Sequence, residues 1–193
     1  SYIWSPNSED IVFVKNNENR YASLWHYNLK DKQVTRLTDD ISSERNPAFS
    51  HDGQQLYFTS ERDFNLTFSS YEFDYMFNNA TRIYAVAVNS KIKPLNTPLT
   101  DEPLSTYIES DGFMDRVVAL NAPAGNYSAL TAVKDGVLTL SAGGLKLIPI
   151  AVDGEIATVA KGVNSYKISA NAQHIIARSG DNYSVIKPAA EQD

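Results

Sequence analysis

Three stretches of this chain superimpose without a gap, and that repetition constrains the fold more than any other feature. Trp4-Ser5-Pro6-Asn7-Ser8 leads into Ile11-Val12-Phe13-Val14, Phe49-Ser50-His51-Asp52-Gly53 into Leu56-Tyr57-Phe58-Thr59, and Ile168-Ser169-Ala170-Asn171-Ala172 into Ile175-Ile176-Ala177-Arg178. Each closes one strand with a large apolar residue, reverses through Ser and Asn or Asp, and opens the next strand with an apolar run. That is the signature of a β-hairpin. The offset from Trp4 to Phe49 is about 45 residues, enough for four short strands and their turns, which is the period of a propeller blade.

The sequence between the hairpins agrees with this period. Ser23 to Leu29 alternates as a third strand and Gln33 to Thr38 as a fourth. In the second unit, Pro47-Ala48-Phe49 and Leu56 to Thr59 are followed by a third strand at Arg82 to Val88 and a delayed outer strand at Asp115 to Leu120. A third unit reads as strands at 127–133, 136–141, 145–152 and 155–160. The fourth has strands at 164–169, 173–178 and 182–186 and no outer strand. The spacing therefore predicts an all-β chain, a partial β-propeller of about four four-stranded blades at 1–45, 46–121, 122–161 and 162–193, the last one incomplete.

A chain of 193 residues with 42% hydrophobic and 21% charged residues has ordinary globular composition and needs only one domain. It has no apolar run long enough to span a membrane. A net charge of -6 argues against nucleic acid as a partner, because phosphate binding requires a basic face. With no cysteine, the fold rests on burial and hydrogen bonding without disulfides or thiolate-bound metal. The opening Ser1-Tyr2-Ile3-Trp4 already reads as strand, so the chain is expected to be a piece of a longer polypeptide.

No Gly-x-Ser-x-Gly elbow occurs, so no catalytic residue is assigned. His26, His51 and His174 fall on one strand and two hairpins of separate units and are read as structural or solvated. The same scatter, with no Asp-x-Asp-x-Asp-Gly loop, leaves no metal site and no cofactor to assign. Asp52 with Gly53 reads as a turn. Trp4 and Trp25 are expected to pack between neighbouring sheets.

Two insertions lengthen the second unit. The one at 89–111 carries Pro94, Pro98 and Pro103 and reads as a surface connection. The one at 60–81 carries six aromatics, Phe64, Phe68, Tyr71, Phe73, Tyr75 and Phe77, amid mixed charge. Long ordered loops tend to be functional, so Arg62, Asp63, Phe64, Tyr71, Phe73 and Arg82 are the candidate substrate or domain contacts. The insertion could line the channel and touch passing peptide, or dock its aromatics on a neighbouring blade or another domain. Docking is favoured, since that many free aromatics would make an unusually large apolar patch.

The Ser-x-Asp/Asn hairpins resemble the repeats of TolB-like propellers. A longer stretch is more specific: Asn46-Pro47-Ala48-Phe49-Ser50-His51-Asp52-Gly53, Leu56-Tyr57-Phe58 and Ser60-Glu61-Arg62-Asp63-Phe64-Asn65 resemble late propeller blades of bacterial tricorn-type proteases. Asp115 to Leu120 and Pro123-Ala124-Gly125-Asn126-Tyr127 resemble the strand and turn after that family's variable linker. His51 and Asn121 replace prolines usual there, and the 89–111 linker is not rich in Lys and Glu. The resemblance implies the C-terminal part of a second propeller, lying ahead of a PDZ-like module and a serine peptidase domain. Its implied partners are peptide substrate and those two domains. A TolB-like interaction propeller attached to no protease is the alternative. Exported bacterial members of this kind suggest the periplasm, and cytosolic archaeal ones the cytoplasm. An open ring would also leave sheet edges through which the isolated segment could self-associate.

Overall fold

The computed structural model describes residues 1–63, 66–69, 74–77, 80–95, 107–151 and 153–189, with only the backbone path for 66–69 and 74–77. Its first sheet contains β1 (Tyr2–Trp4), β2 (Asp10–Asn16), β3 (Ala22–Asn28) and β4 (Gln33–Arg36), in that order. The second unit supplies β5 (Glu44–Phe49), β6 (Gln55–Ser60), β7 (Leu66–Ser69), β8 (Asp74–Phe77), β9 (Arg82–Ala87), one turn of 3-10 helix (Met114–Arg116) and β10 (Val117–Ala119). Its sheet has the order β10-β9-β6-β5, and β7 pairs with β8 as a separate two-stranded hairpin between β6 and β9.

The third sheet runs β11 (Ser128–Val133), β12 (Gly136–Ser141), β13 (Gly144–Pro149) and β14 (Ala157–Lys161). The fourth has three strands, β15 (Ser165–Ile168), β16 (Ile175–Ser179) and β17 (Asn182–Ile186). Every pairing in these sheets is antiparallel. The chain is thus the all-β partial propeller that the repeat predicts. The outer strand of the second sheet starts later than its sequence suggests, because residues 114–116 coil into the 3-10 turn first.

The repeated hairpin has one physical cause in all three places. Ser5, Ser50 and Ser169 donate their hydroxyls to Asn7, Asp52 and Asn171 at 2.6, 2.6 and 2.7 Å. The same hydroxyls accept the backbone N–H of Asp10, Gln55 and His174 at 2.9, 2.9 and 3.0 Å. Ser, Asn and Asp thereby satisfy the amides that a tight reversal strands. The fifth residue of each motif, Ser8, Gly53 or Ala172, lies at positive φ (60°, 74° and 54°), which glycine adopts without strain.

The first strands of the second and third sheets share another device. In β5 the register shifts between Arg45 and Ala48 around Asn46 at φ 54°, and in β11 between Ser128 and Thr131 around Ala129 at φ 53°. Each bulge turns the strand and re-aims a polar group. Asn46 donates to the Thr59 hydroxyl at 3.1 Å, and the Ala129 carbonyl accepts the Tyr166 hydroxyl from the fourth sheet.

The core lies in the seams between sheets. Val12, Leu24 and Leu37 of the first unit meet Phe49, Leu56, Phe58, Tyr84 and Val86 of the second. Ala48, Tyr57, Ile83 and Ala85 meet Leu130, Val137 and Ile148 of the third, whose other face packs Leu138, Leu145 and Val159 against Ile175 and Ala177. β5 touches both β1 and β11, so the leading strands of successive sheets stand side by side.

Among the described residues, two faces have no sheet of this chain against them. On the first sheet, register aligns Tyr2 with Phe13 and Trp25, and Trp4 with Ile11, Tyr27 and Val34. Tyr2, Trp4 and Val34 are 70%, 46% and 56% exposed. On the fourth sheet, Ile176, Tyr183 and Val185 are 48%, 65% and 69% exposed. This corrects the expectation for the tryptophans. Trp4 does not fill a seam, and Trp25 is only half-buried with the Lys15 ammonium 4.7 Å over its ring, because both project from the uncovered side of β1 to β4.

Candidate functional site

The 60–81 insertion leaves the second sheet at the end opposite the Asp52-Gly53 turn, where β6 finishes at Ser60 and β9 begins at Arg82. Its described backbone contains the pairing of β7 with β8. Of the six candidate residues, the structure brings together Arg62, Asp63 and Arg82. Phe64, Tyr71 and Phe73 lie outside the residues whose side chains are described.

The outgoing stem is held by two charged contacts. Arg62 donates to Glu44 at 3.2 Å, and its guanidinium lies 4.8 Å over the Tyr84 ring and 5.7 Å over Phe58. Asp63 accepts from Arg82 at 2.8 Å and from the Tyr84 hydroxyl at 2.7 Å. Desolvation raises the Asp63 carboxyl, but the bonds from Tyr84 and Arg82 and the charges of Arg82 and Arg62 outweigh it and hold it below the usual range. Burial, together with the same pairing to Asp63, pushes the Tyr84 hydroxyl up.

The returning stem is tied to the third unit. Thr81 and Gly125 exchange both backbone hydrogen bonds at 3.0 and 2.8 Å. The Thr81 hydroxyl donates to the Gly125 carbonyl at 2.5 Å and accepts the Tyr127 N–H at 2.9 Å, while Arg82 Nε donates to the Ala122 carbonyl at 3.1 Å. Both stems of the insertion are therefore anchored, one at the junction of the first and second sheets and one on the connection that leads into the third.

Glu44 is the member that sequence reasoning missed. Its carboxylate is fully buried where the first and second sheets meet, and it accepts from Ser42 at 2.6 Å, Ser60 at 2.9 Å and Thr38 at 3.2 Å as well as from Arg62. Burial raises its pKa, an effect only partly offset by the hydroxyls of Ser42 and Ser60 and by Arg62. The cluster of hydroxyls around one acid, Ser42-Ser43-Glu44, was the available signal. Tyr84, read only as a strand residue, and the Thr81–Gly125 bridge carried no signal, since they act at a distance in sequence.

The histidines divide. His51 and His174 are exposed on hairpins, whereas buried His26 meets the Asp10 carboxylate at 2.6 Å, which also accepts from Asn28 at 2.8 Å. The pair arises because β2 and β3 set Val12 opposite His26 and so carry the imidazole alongside Asp10. Among the described residues no hydroxyl is bonded to that imidazole. The group serves as a buried strut between the two strands. Also among the described residues, no helix is long and apolar enough to cross a membrane.

No protein-family model matches this chain. In sequence it is 29% identical over 154 residues to tricorn protease homolog 1 of Streptomyces coelicolor, covering 72% of this chain and 14% of that protein. It is 25% identical over 139 residues to a putative tricorn-like protease C-terminal subunit of Sulfurisphaera tokodaii, covering 71% of this chain and 16% of that protein. Among solved structures, the tricorn protease superimposes over 97% of this chain and 21% of its own, with 16% identity and a TM-score of 0.79. The chain thus spans a small part of its relatives' length. Its fold and its sequence agree: it is a β-propeller segment similar to tricorn-type proteases.

Proposed function

We propose that this chain is the non-catalytic β-propeller segment of a tricorn-like serine protease, from the C-terminal part of its second propeller. It guides or gates peptide substrate and docks on the protease domain. The observation that carries this reading is the aromatic hairpin anchored at both stems, Arg62 and Asp63 on one side and Thr81 on the other. The names of its relatives support the enzyme class, and the resemblance to exported bacterial members supports a periplasmic setting. A precursor leader without an apolar stretch would count against that setting.

The test uses the full-length protein with residues 64–79 replaced by a short Gly-Ser turn. Cleavage of long peptides should fall in kcat/KM by about tenfold or more, equivalent to ~1.4 kcal/mol of lost contact, while a short chromogenic substrate is cut as before. Equal loss on both substrates, or no loss on either, would overturn the reading.

The open faces lead to a second expectation. Taken alone, the segment presents Tyr2, Trp4 and Val34 on one face and Ile176, Tyr183 and Val185 on the other, beside the edge of β17, which pairs with no further strand among the described residues. Such surfaces associate unless covered. Sedimentation of the 193-residue segment should show concentration-dependent self-association, and a monomer at every concentration would refute it.

A further inference from the structure

We propose that the Glu44–Arg62 contact is an acid-released latch holding the outgoing stem of the aromatic hairpin to the junction of the first and second sheets. The inference stands on the geometry of the junction and does not depend on what the hairpin touches.

Every group directed at the Glu44 carboxylate is a donor. Ser42 Oγ, Ser60 Oγ and Arg62 Nη2 converge on Oε1, and Thr38 Oγ1 reaches Oε2. Each ties in a different part of the fold. Thr38 accepts the Leu24 N–H of β3 at 3.0 Å, Ser60 ends β6, and Arg62 opens the insertion while donating a second bond from Nε to Ser60 Oγ at 3.0 Å. An ionised carboxylate accepts all four, whereas a carboxylic acid must donate one bond itself. Protonation therefore removes both an acceptor site and the charge opposite Arg62. The hydroxyls can rotate to accept instead, but a guanidinium has no acceptor to offer. Arg62, with 21% of its side chain exposed, is the donor that has solvent to turn to.

Among the described residues Arg62 is the one charged group in contact with Glu44. Asp63, Arg82 and Tyr84 stand behind it on the stem and on β9, and Ser42, Ser60 and Thr38 present hydroxyls. The two carboxylates that hold the stem titrate in opposite directions. Burial raises Glu44, so it protonates above the ordinary glutamate range, while Asp63 is held below its ordinary range. On acidification the Arg62 latch opens first and the Asp63–Arg82 pair persists to lower pH.

The contribution of Glu44 itself to stability moves the other way. A carboxyl whose pKa is raised in the native state contributes most stability below its unfolded-state value, and loses that contribution as pH rises through the raised one. Protonation of Glu44 therefore opens the latch locally without a stability loss of its own.

The experiment is amide exchange on the chain between about pH 7.5 and about pH 4.5, corrected for intrinsic rates, read at residues 61–63 and 80–82. Protection at 61–63 should fall by about tenfold or more on acidification, as expected for a lost charge-assisted hydrogen bond, while residues 80–82 stay protected. Glu44→Gln should show the low protection at every pH, with an unfolding midpoint equal to or above that of the parent chain. Ser42→Ala removes a donor that favours the ionised form, so the midpoint of the transition should move to higher pH. A structural role alone would not shift it. If Glu44→Gln does not fold, the Ser42→Ala midpoint decides. Unchanged protection across the range, full protection in Glu44→Gln at neutral pH, or a midpoint that stays or falls in Ser42→Ala would each overturn the latch.

Discussion

Gly144→Ala is expected to destabilise the chain by about 3–5 kcal/mol, combining overpacking with backbone strain. Gly144 opens β13 opposite Lys161 of β14, with φ +135°, a conformation that residues with a Cβ rarely adopt. A methyl built there would stand 2.3 Å from the Ala160 carbonyl oxygen and 2.9 Å from Lys161 Cα. Those atoms belong to the paired strand, so neither can step aside as a side-chain tip could. The neighbouring Gly143 separates the two causes. It lies at φ +94° with nothing within 4 Å of its would-be Cβ, so Gly143→Ala should cost only the conformational term, about 1–3 kcal/mol. Urea unfolding of the two variants measures the difference. Equal losses would mean that the close approach between β13 and β14 is not what requires glycine at 144.

Phe58→Ala should cost about 3–5 kcal/mol, the range for emptying a buried aromatic site. Phe58 is fully buried on β6 in the seam between the first two sheets, stacked on Tyr84 with ring centroids 5.9 Å apart. Its replacement opens a cavity flanked by residues from two sheets. The effect extends beyond packing, because the Phe58 and Tyr84 rings are the surface on which the Arg62 guanidinium rests. Phe58→Leu keeps most of the volume and should lose about 1–2 kcal/mol. Denaturant unfolding of the two variants gives the comparison, and a loss below about 1 kcal/mol for Phe58→Ala would show that the seam collapses around the missing ring.

The strands of this chain were legible in its sequence because their causes are local. Ser50, Asp52 and Gly53 form their turn with bonds spanning five residues or fewer, and the same pattern at Ser5 and Ser169 repeats the hairpin wherever it occurs. Alternation along β3 marks a strand with two different faces, of which Leu24 and His26 are buried and Trp25 and Tyr27 half-buried. What alternation cannot report is whether a given face has a neighbour. Trp4 and Trp25 share the pattern of residues that fill seams, and they lie uncovered because that depends on which sheet stands beside them.

The candidate site divides along the same line. Arg62, Asp63 and Arg82 could be selected from sequence as charges flanking an aromatic insertion. Their partners could not: Glu44 lies 18 residues before Arg62, and Thr81 finds Gly125 44 residues later. Antiparallel pairing of β5 with β6 sets Glu44 opposite Ser60, and packing of the first sheet on the second closes water away from the carboxylate. Local hydrogen bonding in the turns, written in consecutive residues, decided the propeller repeat. Which residues share a dry junction was decided by the packing of one sheet on the next, because burial and charge pairing depend on distances through space that sequence spacing does not contain.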